Sequence, residues 1–191
     1  MNNKEYQEFL DQKRIQKTES GFAVEETNLN PMLFDFQRYC VKRALAAGKF
    51  ALFEDCGLGK TIQQLEWADK VYRHIDRPVL ILAPLSVIGQ TIEEGKKFGY
   101  EVTELGLTVF DQDLAPGIYI TNYDNMENID AYLFGGVVLD ESSILKNFAG
   151  ATRNQLIEDF RDTPYKLACT ATPSPNDTTE LGNHAEFLNV M

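Results

Sequence analysis

Short apolar runs alternate with longer amphipathic stretches along most of this chain. Five of the runs are rich in branched and aromatic residues, as buried strands are: Phe50–Phe53, Val79–Ala83, Ile118–Thr121, Val137–Leu139 and Leu167–Cys169. A weaker run lies at Glu101–Leu105. Because strands that alternate with helices form βαβ units, the pattern predicts an α/β fold with a mostly parallel central sheet flanked by helices in three layers.

Two of the intervening stretches predict helices clearly. In Thr61–Ile75 the apolar positions that share one face are Ile62, Leu65, Ala68, Val71, Tyr72 and Ile75. In Asp35–Ala47 the predicted apolar stripe is Phe36, Cys40, Ala44 and Ala47, with Val41 and Leu45 beside it. Gly48 follows, where a helix end favours a residue without a Cβ.

The two ends of the chain are less regular. Residues 4–17 predict an exposed amphipathic helix, and residues 18–30 are polar and typical of a loop. Near the other end, Asp177 is followed three residues later by Glu180, which predicts a capping box at the start of a final helix.

A glycine-rich segment follows the first apolar run and leads directly into a predicted helix. Residues 54–61 read Glu-Asp-Cys-Gly-Leu-Gly-Lys-Thr, in the strand–loop–helix context that a Walker A motif requires. Glycines let backbone N–H groups turn toward phosphate oxygens, and the helix N-terminus adds partial positive charge. The residues expected to bind ATP here are Gly57, Leu58, Gly59, Lys60 and Thr61.

Lys60 and Thr61 have distinct expected roles in this loop. The Lys60 ammonium would reach the β- and γ-phosphates, and the Thr61 hydroxyl would ligate Mg²⁺. The general motif begins with glycine, whereas this sequence has Glu54 there. The competing interpretation is a glycine-rich surface turn, which would require Gly-Lys-Thr to stand at a strand-to-helix junction by accident.

Two carboxylates end the fourth of the main apolar runs. Val137–Leu139 is followed by Asp140 and Glu141, the arrangement of a Walker B motif. Asp140 would hold Mg²⁺, and Glu141 would orient and deprotonate the attacking water. Acidic residues are common at turns, so the pair gains its meaning from the Walker A loop upstream on another strand of the same sheet.

Bulk composition limits the classes of protein that fit. The chain has 191 residues, 43% hydrophobic and 25% charged, which suits one sizeable globular core. No apolar run approaches the ~18 residues of a membrane span, and no apolar segment follows the first residues, so we expect a cytoplasmic protein without membrane contact. Three isolated cysteines and two distant histidines indicate neither zinc binding nor disulfides.

The net charge of −11 argues against a protein that grips nucleic acid through overall positive charge. It leaves room for a local contact strip. Weak binding of nucleic acid by the chain alone is therefore expected.

The order of the short motifs resembles that of one family. Six segments carry the resemblance: Phe36-Gln37, Gly57–Thr61, Ala83–Val87, Ile120–Tyr123, Asp140–Ser143 and Thr170–Pro173. Together they are similar to the first RecA-like domain of superfamily 2 DEAD/DEAH-box proteins, and most similar to the Swi/Snf-like group and to helicases carried by phages and prophages. The likeness covers about residue 30 onward and divides the chain into an extension, residues 1–30, and one RecA-like ATP-binding domain, residues 31–191.

The resemblance implies roles for residues that spacing alone leaves undefined. Gln37 is similar to the glutamine that reads the adenine edge. Segments similar to those that touch a nucleic-acid backbone comprise Pro84, Leu85, Ser86, Asn122 and Tyr123. Segments similar to those that couple the γ-phosphate site to domain movement comprise Thr170, Ala171 and Thr172. Ser143 departs from the family's Asp or His, which leaves open how this box contacts the Thr-Ala-Thr segment.

In this family ATP lies between two RecA-like domains, and the second one supplies arginines. Only nineteen residues follow Thr172, so we expect a second domain to come from elsewhere, in the same natural protein or in a partner chain. Without those arginines the chain should hydrolyse ATP very slowly. The alternatives to a nucleic-acid motor are a non-enzymatic module that binds nucleotide or a partner protein, and a P-loop ATPase of another type such as a kinase.

Overall fold

A six-stranded, wholly parallel sheet forms the centre of the molecule. The computed structural model describes residues 20–106, 114–146, 150–174 and 180–190. Its strands are β1 (Lys49–Phe53), β2 (Val79–Ala83), β3 (Val102–Glu104), β4 (Ile118–Asn122), β5 (Gly136–Asp140) and β6 (Tyr165–Thr170). They lie in the order β1-β6-β5-β2-β4-β3, and every pairing is parallel. The predicted α/β class, with its RecA-like arrangement, is confirmed.

Helices cover both faces of this sheet. They are α1 (Asp35–Ala47), α2 (Lys60–Ile75), α3 (Leu85–Phe98), α4 (Ala151–Asp159) and α5 (Glu180–Phe187). Short 3₁₀ turns lie at Glu26–Asn28, Tyr123–Asn128, Ala131–Leu133 and Ser142–Lys146. None of the helices in the described part of the chain combines the length and apolar character that a bilayer crossing needs.

Alternate residues of the central strands feed two separate hydrophobic clusters. In β2, Ile81 packs with α1–α3 on one face, whereas Leu80 and Leu82 pack with α4 and α5 on the other. Successive side chains of a strand point to opposite faces, so a strand buried on both faces reads as a continuous apolar run. This explains why β2, all five residues of which are buried, was predicted with its full length.

The apolar stripe predicted for α1 was wrong in one respect. Phe36 is 44% exposed, and the buried face is formed by Gln37, Val41, Ala44, Leu45 and Ala47. The spacing 37, 41, 44, 45 is a regular helical face, and Phe36 lies one position, about 100°, away from it. A glutamine was overlooked as a core position because its amide is polar.

Residues 20–30 pack against the domain. The amides of Gly21 and Phe22 donate to the carbonyls of Ala46 and Leu45, at 3.2 and 3.0 Å. Leu29 is buried in the same core. The domain boundary at residue 30 stays a prediction, and the helix predicted for residues 4–17 and the cap at Asp177 lie outside the described residues.

Candidate functional site

The carboxyl ends of five neighbouring strands meet at one edge of the sheet. The register pairs Phe53 with Thr170, Cys169 with Asp140, and Ala83 with Asn122. Apart from Gln37, which lies in α1, the residues singled out from the sequence end these strands or lie in the segments that follow them. Parallel α/β sheets bind their ligands at this edge, so the topology brings the predicted site residues together.

Lys60 lies at the start of α2 and closes the glycine loop on itself. Its Nζ donates to the carbonyl oxygens of Glu54 at 2.8 Å and Asp55 at 3.0 Å. The Glu54 carboxylate accepts a 2.6 Å hydrogen bond from Gln63 Nε2 on α2, so the residue that replaces the first motif glycine fastens the loop to the helix. The ammonium is thus held at the centre of the loop, where neutral carbonyls are weaker partners than anionic oxygens would be.

Gly57 and Gly59 both have left-handed backbone, with φ of 80° and 75°. Gly59 is the N-cap of α2 and supplies no side-chain cap. The first amides of a helix need partners from outside it. An uncapped helix N-terminus beside a lysine has the charge and the free donors that suit an anion.

Gln37 connects this loop to the segment before α1. Its Oε1 accepts from the Phe34 amide at 2.9 Å, and its Nε2 donates to the Leu58 carbonyl at 2.8 Å. A primary amide has two N–H donors and two lone pairs, so one of each remains for a ligand. A Cβ on Gly59 would lie 2.4 Å from Gln37 Nε2, which is a second reason for glycine at that position.

An apolar cavity of about 460 Å³ opens between the glycine loop and α1. Its lining consists of Met32, Phe34, Phe36, Gln37, Gly57, Leu58, Gly59, Ile62 and Phe98. The rings of Phe34 and Phe36 are nearly parallel, with an interplanar angle of 13° and centroids 6.4 Å apart. Planar aromatic ligands suit such walls.

The aromatic walls were missed in the sequence analysis. A signal for them existed: Phe34 and Phe36 lie three and one positions before Gln37, and both are exposed, at 69% and 44%. Large exposed apolar side chains grouped at a cavity indicate a binding surface.

Asp140 ends β5 beside α2. Gln64 Nε2 donates to Asp140 Oδ1 at 2.8 Å. Burial raises the pKa of Asp140, and the charge of Glu141 adds to the rise, while Gln64 and Lys60 oppose it. A desolvated carboxylate next to a lysine is suited to holding a divalent cation. No local pattern marks Gln64 as a site residue, because its contact with Asp140 spans 76 positions.

Glu141 follows with a left-handed backbone, φ 59°. One oxygen of its carboxylate accepts from both Ser143 Oγ at 2.6 Å and Thr170 Oγ1 at 2.7 Å. Thr170 Oγ1 in turn accepts from the Thr172 amide at 3.0 Å. Glu141 therefore joins the Asp140–Ser143 segment to the Thr170–Thr172 segment. The sequence did not predict how these two segments make contact, because Ser143 departs from the family's pattern.

A second link joins the acidic box to the last described helix. Ser142 Oγ lies 3.1 Å from His184 Nε2 on α5, and His184 Nδ1 lies 3.3 Å from the Glu180 carbonyl. Burial lowers the pKa of His184. The sequence analysis missed this histidine because the contact depends on tertiary structure.

The predicted nucleic-acid residues lie on the other side of Glu141. A cavity of about 420 Å³ is lined by Pro84, Leu85, Asn122, Tyr123, Asp124, Glu141, Ser143, Ile144 and Lys146. Ser86 is exposed nearby at the start of α3 and does not line it. Tyr123 OH donates to the Asp140 carbonyl at 2.7 Å, and Asn122 Oδ1 accepts from the Asn125 amide at 3.0 Å. These contacts place the residues predicted to touch nucleic acid next to the acidic pair, Asp140 and Glu141.

Comparison with known proteins agrees with this architecture. A family model described as the SNF2-related domain matches residues 38–191. A relative from Xenopus tropicalis, the SWI/SNF-related matrix-associated actin-dependent regulator of chromatin subfamily A-like protein 1, is 28% identical over 164 residues. That match covers 82% of this chain and 17% of the relative, so the chain spans a small part of the length of that protein.

Solved structures share the fold. The Sulfolobus solfataricus SWI2/SNF2 ATPase core in complex with dsDNA matches with a TM-score of 0.73 and 23% identity, over 88% of this chain and 38% of that one. The UvsW helicase of bacteriophage T4 matches with a TM-score of 0.67 and 14% identity, over 98% and 66%. At these identities the structures establish the fold alone. With the matching family model and the Xenopus relative, they confirm the resemblance identified from the sequence.

Proposed function

Because this chain belongs to the SNF2-related domain family, we propose that it is the ATP-binding domain of a DNA translocase or helicase. The observation that supports this most is the convergence of three elements on one edge of the sheet. They are the uncapped α2 N-terminus with Lys60, the Asp140 carboxylate held by Gln64, and Glu141 held by Thr170.

The residues present fit a magnesium triphosphate. A Cβ at Gly57 would meet no atom within 4 Å, so the loop has open space on that side for phosphate. Thr61 and Asp140 supply two oxygen ligands, and the described residues contain no cluster of three or more potential metal ligands. Mg²⁺ commonly takes one or two protein ligands and completes its shell with phosphate and water.

Each residue then has a specific task. Lys60 exchanges its two carbonyl partners for β- and γ-phosphate oxygens and neutralises their charge. Glu141 accepts the proton of a water whose oxygen bonds to the γ-phosphorus, and the bond to the β–γ bridging oxygen breaks to give ADP and phosphate. Mg²⁺, when bound, would neutralise part of the negative charge of the phosphates. Thr170 orients the Glu141 carboxylate. The hydrogen bond between Thr170 and Thr172 couples the position of that carboxylate to the position of Thr172.

The purine would occupy the aromatic cavity. Gln37 retains one N–H and one lone pair, which match the donor and acceptor on the adenine edge. Phe34 and Phe36 would pack on the base. The loop and the cavity share Gly57 and Gly59, so a single ligand with an aromatic base and phosphates would fill both.

DNA would contact the cavity lined by Pro84, Asn122 and Tyr123, as backbone contacts that carry no sequence information. Lys146 supplies a positive charge in that lining. The net charge of −11 makes the contact of this chain alone weak and strongly dependent on salt. A second RecA-like domain would complete the DNA and ATP sites.

Binding of a fluorescent adenine nucleotide tests the proposal. We expect saturable binding with Mg²⁺ present and a loss of roughly 100-fold or more in Lys60→Ala, because a charge-assisted contact to phosphate is removed. Lys96→Ala is the matched control, since Lys96 lies exposed on α3 and pairs with Glu93. Equal affinity in Lys60→Ala and wild type would contradict the proposal.

A second candidate function follows from the net charge. An acidic chain suits a nucleotide-binding or partner-binding module without turnover. Measured ATP hydrolysis distinguishes the two: no turnover with dsDNA and a second RecA-like domain present, together with intact nucleotide binding, would select the module.

A further inference from the structure

The side chain and the backbone amide of Asn30, in the loop before α1, together make four hydrogen bonds to three parts of the molecule. Its Nδ2 donates to the Phe98 carbonyl at 2.8 Å and to Tyr100 OH at 2.9 Å. Its Oδ1 accepts from the Met32 amide at 3.0 Å, and its own amide donates to Glu66 Oε1 at 3.1 Å. Both donors and an acceptor of the side chain are used, which is unusual for a loop residue.

Two of these partners are walls of the aromatic cavity. Met32 and Phe98 both line it. They come from separate segments, and the side-chain amide of Asn30 is hydrogen-bonded to both. Met32 is 50% exposed, so packing alone fixes it weakly. The Asn30 side chain therefore links the backbones of the two segments that carry Met32 and Phe98.

The network is anchored on a buried carboxylate of α2. Glu66 is 1% exposed, and its carboxylate accepts hydrogen bonds from Tyr100 OH and from the backbone amide of Asn30. Lys70 Nζ lies 3.4 Å from Glu66 Oε1 and supplies the compensating charge. Burial and the Glu66 carboxylate raise the pKa of Tyr100, so its hydroxyl stays a donor to Glu66. The same helix begins with Lys60, which ties the cavity walls to the phosphate loop.

We propose that Asn30, supported by Glu66 and Tyr100, is a positioning residue that fixes the width of the cavity for the purine base. The inference rests on the proposed nucleotide-binding function and adds a specificity-determining residue to it. Asn30 is not among the residues that line the cavity. It acts through Met32 and Phe98, which both line the cavity.

A comparison of two probes tests the inference in the full chain. The probes are Mg-ATP, which has a base, and Mg²⁺ with inorganic tripolyphosphate, which has none. We expect Asn30→Ala to weaken Mg-ATP by about tenfold, because several hydrogen bonds that hold the walls are lost. Its affinity for tripolyphosphate should stay within about twofold of wild type. Asn28→Ala, at an exposed position of the same loop, should change neither.

Each outcome decides the matter. Wild-type affinity of Asn30→Ala for Mg-ATP would overturn the inference and leave the proposed function intact. Equal losses for both probes, in a variant that melts as wild type does, would also overturn it. Absence of nucleotide binding by the wild type would instead overturn the proposed function, and the inference with it.

Tyr100→Phe decides the case in which Asn30→Ala does not fold. It removes one acceptor of the Asn30 amide and one donor to Glu66 while keeping the ring. We expect a loss of about threefold for Mg-ATP with no loss for tripolyphosphate. No difference between the two probes in Tyr100→Phe would count against the positioning role.

Discussion

Gly59 satisfies two requirements that no other residue type meets. Its φ is 75°, and a Cβ would lie 2.4 Å from Gln37 Nε2, whereas a Cβ on Gly57, at φ 80°, meets nothing within 4 Å. Both Gly→Ala changes strain the backbone by ~1–2 kcal/mol. Only the change at position 59 also displaces Gln37.

These two glycines therefore form a matched pair for mutation. We predict that Gly59→Ala lowers the melting temperature more than Gly57→Ala and weakens adenine nucleotide binding at least tenfold further, because Gln37 loses its place. Thermal denaturation and nucleotide titration of both variants check this. Equal behaviour of the two would show that Gln37 is not displaced.

The half-buried carboxylate of Asp140 is unfavourable in its ionised form when no magnesium is bound. Because its folded pKa is raised above the usual value, the native state holds this proton to higher pH than the unfolded chain does. The stability that the protonated form contributes is lost as pH rises through the folded pKa. At neutral pH the ionised carboxylate therefore destabilises the nucleotide-free protein.

Asp140→Asn should raise the melting temperature of the nucleotide-free protein at pH 7 and abolish the Mg²⁺ dependence of ATP binding. About 1 kcal/mol corresponds to roughly 2–4 °C in a protein of this size. The gain should shrink as pH falls through the raised pKa of Asp140. A variant less stable than wild type at pH 7, with Mg²⁺-dependent binding unchanged, would contradict the assignment.

How far the sequence predicted these residues depended on their spacing. Lys60 and Thr61 were predicted because the loop is local in sequence, and the fold confirms their strand–loop–helix context. Gln64, Thr170 with Glu141, and His184 make their contacts across the sheet, which no local pattern records. Their roles, and those of the loop residues, stay predictions until nucleotide binding is measured.

Among the elements, β6 carries a fully buried lysine. Lys166 Nζ donates to the Phe187 carbonyl at 2.8 Å and to Asn189 Oδ1 at 3.2 Å. A cation at the C-terminus of α5 is favourable. The predicted strand began only at Leu167, since a charged residue interrupts an apolar run. The strand includes Lys166 because carbonyl partners from the end of α5 compensate its burial.

Lys166 makes the stability depend on pH. Burial, with a contribution from Lys49 and opposed by Asp162, lowers its pKa to about 7. Between pH 7 and about 10, the native chain binds fewer protons than the unfolded chain, so this group raises the free energy of unfolding as pH increases.

We predict that urea unfolding at pH 6, 7.5 and 9 shows this rise in wild type relative to Lys166→Met. Lys96→Met controls for the loss of one charge. A difference between wild type and Lys166→Met that stays constant over this range would refute the lowered pKa.

At the scale of the whole molecule, two electrostatic effects on DNA binding oppose each other. The net charge of −11 repels the DNA backbone, whereas Lys146, in the cavity proposed to contact DNA, attracts it. We predict that binding of a short DNA duplex by this chain is weak and falls steeply between 50 and 200 mM salt. Lys146→Glu should weaken it further, and Lys96→Glu should have a smaller effect. Fluorescence anisotropy measures both, and a salt-independent affinity would contradict a phosphate-backbone contact.

The family resemblance places ATP between two RecA-like domains. We therefore predict very slow hydrolysis by this chain alone, and a gain of roughly 10³–10⁵ when a second domain supplies its arginines. Single-turnover assays with and without such a domain check this. Rapid hydrolysis by the chain alone, lost in Glu141→Gln, would refute the need for those arginines.

The most direct measurement is a crystal structure with Mg²⁺ and a non-hydrolysable ATP analogue. We predict that Lys60 Nζ leaves the carbonyls of Glu54 and Asp55 and binds phosphate oxygens, with the metal beside Thr61 and Asp140. The base should lie in the aromatic cavity, packed on Phe34 and Phe36. A structure with the nucleotide bound elsewhere, and Lys60 still on its two carbonyls, would contradict the account.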